Sequence, residues 1–254
     1  MAHYIKFLPL IVSALIFLLF EVVYQKPRWI FGVSISIPLI SFAAIYYIMG
    51  PRLKTPSARF KFLIIPTLLG FSALAFSLLI ESALARHLLA LLIFIGLALF
   101  FESVITYIWR HDAYVGYSLE NLSSYALTLT MFLISCVLAG FYILLDLNLG
   151  LIVGLGLLAF LAINYEFFWM SKILSLPTLL FAGTLTLILT QIFVALILLP
   201  FHFMIDGAII TVLWYTAASI SRAHLLGMLK PKMIYRYLAL ASILLLLLFA
   251  SASI

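Results

Sequence analysis

Apolar residues fill nine long runs of the chain, and short polar segments separate them. Each run is about 20 residues long, the length of helix that crosses a hydrocarbon core of roughly 30 Å. The pattern therefore predicts an all-α fold, a polytopic bundle of nine transmembrane helices in a single integral membrane domain, 1–254. The predicted spans are 5–24, 29–49, 60–80, 87–109, 119–145, 149–169, 176–199, 205–221 and 233–251.

Local signals refine this count. Ser118 and Ser175 are suited to cap the starts of the fifth and seventh helices. Pro38 and Pro66 lie inside runs and should kink their helices, because each removes a backbone donor. The connection at Pro200 is so short that the segment there could be re-entrant. Eight spans are therefore the main alternative to nine.

Composition agrees with a membrane protein. Hydrophobic residues make up 67% of the chain and charged residues 9%, whereas soluble domains carry about 25% charged residues. The first run resembles a signal peptide, but it lacks a small-residue cleavage site before Glu21 and another run follows at once, which favours a retained helix. The single cysteine, Cys136, excludes an intramolecular disulfide and is expected to pack as a small hydrophobe.

Lysine and arginine are distributed unevenly over alternate loops. With a cytoplasmic N-terminus, eleven of the fourteen lie inside and three outside, as the positive-inside rule requires. The net charge of +6 is thus explained by topology and anionic lipid headgroups, and no nucleic-acid partner is expected. The inner residues are Lys6, Arg52, Lys54, Arg59, Lys61, Arg110, Lys172, Arg222, Lys230, Lys232 and Arg236, and the outer ones are Lys26, Arg28 and Arg86.

One carboxylate lies inside an apolar run. Glu102 precedes Arg110 by eight residues, which places it roughly 12 Å into the membrane. Thr106 shares its helix face. An isolated charge costs several kcal/mol there, so Glu102 is predicted either to relay a proton or cation and contact a ligand, together with Thr106 and Arg110, or to form a structural hydrogen bond with a neighbouring helix.

The fifth run carries a polar stripe of Asn121, Ser124, Thr128 and Ser135, with Glu120 beside it at the predicted cytoplasmic mouth. Such a stripe lines a cavity or joins helices at roughly 0.6 kcal/mol per hydrogen bond. Glu120 near a helix start also complements the helix dipole.

Small residues indicate packing faces. Gly150 and Gly154 have GxxxG spacing, and their face continues to Asn164, which is predicted to act as a polar clamp. Gly183 begins a similar face in the seventh run. In the eighth run, the stripe of Gly207, Thr211, Trp214 and Ala218 ends at the cation Arg222.

Depth along the helices predicts a polar cluster in the cytoplasmic half of the membrane. Its members are Glu102, Arg110, Glu120, Asn121, Glu166 and Arg222.

Polar residues also collect at the predicted outer boundary, where they are normally solvated. They are Glu21, Glu81, Arg86, His87, Asp146, His202 and Asp206. No metal site is predicted from them. The chain lacks the metalloprotease, serine-hydrolase, P-loop and dinucleotide motifs, so no cofactor is expected and an enzyme is the less favoured class.

The run SLENLSSY, 118–125, together with the opening KFLPLIVSALIFLLF, resembles a group of polytopic membrane proteins from uncultured bacteria with small genomes. The resemblance implies a bacterial cytoplasmic (inner) membrane and carries no activity.

Three functions follow as expectations. The first is a carrier or channel-like protein for a small or lipid-like ligand. The second is a non-catalytic subunit or scaffold that packs against a protein partner or a second copy. The third is a membrane enzyme acting on lipids or polyprenyl carriers.

Overall fold

A computed structural model describes residues 7–49, 56–109, 114, 116 and 118–252, without the side chains of 56–61 and 252. Within this part of the chain there are nine α-helices, one for each predicted apolar run, and the predicted helical bundle is confirmed. The helices are α1 (Leu8–Gln25), α2 (Ile30–Met49), α3 (Pro56–Ser77), α4 (Ala83–Trp109), α5 (Ser118–Leu145), α6 (Leu149–Met170), α7 (Leu176–Ile197), α8 (Phe203–Leu225) and α9 (Pro231–Ala252), with a 3₁₀ turn at Pro27–Trp29.

Length and hydropathy suit a multi-pass membrane protein. Eight helices in the described ranges are long and apolar enough to cross a membrane. The remaining helix, α3, has 22 residues, and its apolar stretch among fully described residues is Phe62–Ser77. The helix that follows the tight turn at Pro200 is α8, which at 23 residues is long enough for a complete crossing.

Side-chain caps begin several helices. The Ser175 hydroxyl accepts a hydrogen bond from the Thr178 backbone N–H (3.4 Å), so the predicted start of α7 is confirmed. Asn148 caps α6 in the same way, accepting from Gly150 N–H at 2.8 Å. The two internal prolines lie within α2 and α3, and both helices continue through them.

The chain divides into two compact units, and the division falls inside α5, between Leu127 and Thr128. We call them the N-terminal unit and the C-terminal unit. The prediction of one integral membrane domain stays a prediction.

In the N-terminal unit α1 packs against α4 and α2 packs against α3. Phe17 and Phe94 are in edge contact, with ring centroids 6.1 Å apart. Gly70 allows the close approach of α3 to α2, since a Cβ there would stand 2.8 Å from Ile37 Cγ2. The Trp109 indole N–H donates to the Ile48 carbonyl (2.7 Å) and ties the end of α4 to the end of α2.

In the C-terminal unit α7 packs against both α6 and α8, and α9 packs on α8. Gly207 brings α8 against α5: an added Cβ would collide with Cys136 Sγ and stand 3.0 Å from the Cys136 backbone nitrogen. Cys136 is fully buried there, as a small hydrophobe should be. Most side chains of α9 are exposed and apolar, as expected of a surface that faces lipid.

Candidate functional site

The predicted site on α4 is only partly within the described residues. Glu102 and Thr106 are both half-buried. The Thr106 hydroxyl donates to the backbone carbonyl of Glu102 at 2.9 Å, so its own helix satisfies it. Arg110, the predicted partner, lies outside the described residues.

At the start of α5, Glu120 is buried and forms a hydrogen bond that sequence reasoning missed. Tyr114, in the preceding connection, donates its hydroxyl to Glu120 Oε2 at 2.5 Å. The same hydroxyl oxygen accepts from the Leu119 backbone N–H at 3.3 Å. Burial, followed by the hydrogen bond to Glu120, raises the pKa of Tyr114 above its ordinary value. Both contacts hold the Tyr114 side chain against the first turn of the helix.

The predicted stripe on α5 coincides only in part with the buried face of the helix. Asn121 is exposed, whereas Ser124 and Thr128 are half-buried. Ser135, the last residue of the predicted stripe, is fully buried, and so are Ser123 and Thr130, which lie outside the stripe. Spacing alone could not separate these two faces, because polar residues occur on both of them.

A buried hydrogen-bond network joins three helices of the C-terminal unit. The Trp214 indole N–H donates to Asn164 Oδ1 at 2.8 Å, and the Asn164 amide donates to Thr186 Oγ1 at 2.9 Å. The Thr186 hydroxyl in turn donates to the Ala182 carbonyl at 2.8 Å. All three side chains are buried, so polar contacts join α6, α7 and α8 inside the unit.

Two carboxylates are fully buried in the same unit. Glu166 lies near the end of α6 and Asp206 lies in the first turn of α8, each with no exposed surface. Within the described part of the chain, neither oxygen of Asp206 has a hydrogen-bond partner. Its close neighbours include Cys136 on α5, which lies beside Gly207. The sequence had suggested a solvated boundary position for Asp206, and the structure instead buries it.

The buried face of α8 separates Asp206 from the hydrogen-bond network. Asp206, Ile210 and Trp214 follow each other at four-residue intervals and are all buried. Asp206 and Trp214 are thus about 12 Å apart along the helix axis. The apolar side chain of Ile210 lies between them on the same face of the helix.

The predicted packing glycines and the terminal cation lie toward the surface. Gly150 and Gly154 are exposed and Gly183 is half-buried. A Cβ added at Gly154 or Gly183 would meet no other atom within 4 Å. Within the described ranges, these glycines therefore leave their faces open, while Asn164 on the same helix is buried. Arg222, in the last turn of α8, is half-buried.

An open groove of about 350 Å³ runs between α6 and α7. Its walls are mostly apolar, but Gln191 brings an exposed side-chain amide to it. The lining residues are Val153, Leu157, Leu187, Thr190, Gln191 and Val194.

A second cavity, of about 230 Å³, opens in the N-terminal unit between the end of α1 and the start of α4. There Glu21 Oε1 lies 2.8 Å from His87 Nδ1. The Tyr24 hydroxyl donates to the Arg86 carbonyl at 3.1 Å. The sequence placed these residues at one boundary, but it could not pair them, because α1 and α4 are distant in the chain.

The predicted polar cluster divides between the two units. Glu102, Glu120 and Asn121 belong to the N-terminal unit, and Glu166 and Arg222 belong to the C-terminal unit. Their convergence stays a prediction. Among the described residues, no three His, Cys, Asp or Glu side chains form a group suited to a metal ion.

Comparison with known proteins gave no match: no family model, no curated protein and no solved structure is similar to the chain.

Proposed function

We propose that the protein is a carrier or channel-like protein for a small or lipid-like ligand, and that Asp206 is its proton-binding group. Its proposed location is a bacterial cytoplasmic membrane, with the N-terminus inside. Glu102 and Thr106 form a second proposed ligand contact, on α4.

The burial of Asp206 carries this proposal. An ionised carboxylate without a partner costs several kcal/mol in a membrane-spanning helix. Asp206 is fully buried, and no described residue donates a hydrogen bond to it. A bound proton removes the charge and therefore the largest part of this cost. Ionisable groups in such positions commonly serve proton relays and ion pathways.

A purely structural role for Asp206 is the alternative. A carboxylate in the first turn of a helix stabilises it through the helix dipole. That interaction is strongest when the carboxylate also accepts the free N–H groups of the turn, and neither Asp206 oxygen accepts one from the described residues. The geometry therefore favours a group that gains and loses a proton.

The groove between α6 and α7 supports the ligand part of the proposal. An apolar groove suits an acyl chain or another hydrophobic group. An amide exposed to lipid has no partner there, so the Gln191 side chain favours an occupant that carries a polar group. The hydrogen-bonded Asn164, Thr186 and Trp214 fix the three helices that surround this region of the unit.

The test is native mass spectrometry of the full chain, extracted gently from its own membrane, followed by binding of the co-purified ligand. We expect a small molecule or a particular lipid, bound by the wild type with an affinity that changes with pH. Asp206→Asn should abolish that pH dependence. Asp146→Asn is the matched control, because Asp146 is exposed and its positive φ of 51° is one that asparagine also tolerates. Equal pH dependence in all three proteins would contradict the proposal.

The open glycine face favours the second candidate, a subunit that packs against a protein partner. Gly150 and Gly154 have the spacing of close helix pairs, and Gly154 has free space around it. A stoichiometric protein partner in the same mass spectra, lost on Gly154→Leu, would support this function in place of the carrier.

A further inference from the structure

The cavity between α1 and α4 has polar walls that the proposed proton site does not use. It is lined by Glu21, Tyr24, Gln25, Ala83, Arg86 and His87. All six belong to the N-terminal unit. We call it the α1–α4 crevice.

The negative charge in the crevice already has a partner. Glu21 Oε1 lies 2.8 Å from His87 Nδ1, so the imidazole is the partner of the carboxylate. The His87 ring also packs edge-on against Tyr24, with centroids 5.6 Å apart. These contacts fix one wall of the crevice.

The positively charged side chain of Arg86 is held in place, but its hydrogen-bond donors are poorly satisfied. The Arg86 guanidinium lies over the Tyr24 ring, 5.8 Å from its centroid. A guanidinium has five N–H donors. Within the described ranges it makes one long hydrogen bond, from Nη2 to the Glu81 carbonyl at 3.5 Å, and its Nε is buried without an acceptor. The crevice therefore presents an oriented cation with spare donors.

We propose that the α1–α4 crevice binds a phosphate group and that Arg86 is its principal contact. The planar guanidinium matches the oxygens of a phosphate and donates to two of them at once. The first turn of α4, at Ala83 and Arg86, adds the positive end of a helix dipole beside the same cavity.

The position of the crevice identifies the phosphate as that of an amphiphile. It lies at the ends of two apolar helices, where lipid headgroups meet a membrane protein. One turn deeper, the exposed side chains are apolar, with Leu18 56% and Leu91 45% exposed. These surfaces suit the acyl chains of a lipid whose phosphodiester occupies the crevice. A free phosphate ion offers the same chemistry without the chains.

The experiment titrates dioctanoyl phosphatidylglycerol into the full chain in a phosphate-free, nonionic detergent, with calorimetry as the readout. Loss of a charge-assisted bidentate contact should weaken binding by about tenfold or more in Arg86→Gln. Arg28→Gln is the matched control, since Arg28 is exposed at the same end of the unit and does not line the crevice. It should change the affinity by less than about twofold.

Two further titrations separate the sources of the phosphate. Inorganic phosphate that binds as tightly as the lipid, and loses its affinity in Arg86→Gln, would assign the site to the free ion. A phosphate-free glycolipid of equal chain length that binds as tightly as phosphatidylglycerol would overturn the proposal. So would wild-type affinity in Arg86→Gln.

Arg86→Lys keeps the charge and removes the planar fork, which provides a second test if the glutamine variant does not fold. We expect weaker binding than in the wild type, and unchanged affinity would contradict the bidentate contact. This proposal is tested at Arg86 and the proposed proton site at Asp206, so the two can fail separately: wild-type affinity in Arg86→Gln would overturn only the phosphate site.

Discussion

The two units use polar residues in opposite ways. In the N-terminal unit two contacts between separate segments lie at helix ends, where Glu21 pairs with His87 and Tyr114 binds Glu120. In the C-terminal unit polar groups lie inside the protein, in the network of Asn164 and in the buried Asp206. A polar contact that water or headgroups can replace contributes little, whereas a buried one is costly to leave unmade. Changes in the C-terminal unit should therefore have the larger effects.

The largest effect is expected at the close contact between α5 and α8. Gly207→Ala places a Cβ against Cys136 and its backbone, which forces the helices apart. We expect the free energy of unfolding to fall by about 1–3 kcal/mol, measured by denaturant titration in mixed micelles. Gly154→Ala is the control, and it should leave stability unchanged or raise it by up to about 1 kcal/mol. Equal losses in both variants would contradict the contact.

Removing the side-chain amide of Asn164 should lower the free energy of unfolding by a somewhat smaller amount. Asn164→Leu leaves the Trp214 indole N–H without an acceptor and removes the donor to Thr186. A loss of about 1–2 kcal/mol is expected from a buried group left unsatisfied. In the matched variant Asn121→Leu, at an exposed position, stability should change by about 0.5 kcal/mol or less. The same titration measures both, and a similar loss at the two positions would remove the distinction between the units.

The contact before α5 should show a modest effect with a defined pH dependence. Tyr114→Phe removes the hydroxyl that donates to Glu120, at a cost of about 1 kcal/mol or less. In the folded state the pKa of Tyr114 lies above the ordinary tyrosine value of about 10, chiefly because the side chain is buried. The stabilisation is therefore complete below about pH 10 and is lost as the pH rises through the folded pKa. Unfolding between pH 8 and pH 11 should be less sensitive to pH in Tyr114→Phe than in the wild type, and identical profiles would contradict the assignment.

The smallest effect is expected at the pair in the α1–α4 crevice. The His87 side chain is 52% exposed and Glu21 is 22% exposed. Glu21→Gln should lower the free energy of unfolding by less than about 1 kcal/mol, with a difference that shrinks as salt is added. Thermal unfolding at two salt concentrations measures it. A large loss that salt does not change would show that the pair is more deeply buried than the structure indicates.

Much of the fold was predictable, because apolar runs of about 20 residues have few structural solutions in a membrane. The cap at Ser175 was predictable for a similarly local reason. The hydrogen bonds were not, since Asn164, Thr186 and Trp214 meet only when three helices pack in a particular order. The close helix contact was unpredictable for the same reason. Gly154 belongs to a GxxxG pair but has no neighbour within 4 Å, whereas Gly207 belongs to no such pair and makes the close contact.

Burial was the property that the sequence described least well. Asp206 lies four residues from His202, near a predicted boundary, and such positions are usually solvated. Its burial depends on α5, which approaches α8 at Gly207. Asn121 is the reverse case, because it was predicted to line a cavity and is exposed. The position of each helix along the chain was predictable, but the direction in which each helix face points was not.

We propose above all that Asp206 holds a proton inside the C-terminal unit. Infrared difference spectroscopy of the wild type against Asp206→Asn tests it most directly, with Asp146→Asn as the control. At neutral pH, the difference between the wild type and Asp206→Asn should contain the carbonyl stretching band of a protonated carboxylic acid, and the difference between the wild type and Asp146→Asn should lack it. Identical spectra of the wild type and Asp206→Asn in that region would show that Asp206 is not protonated.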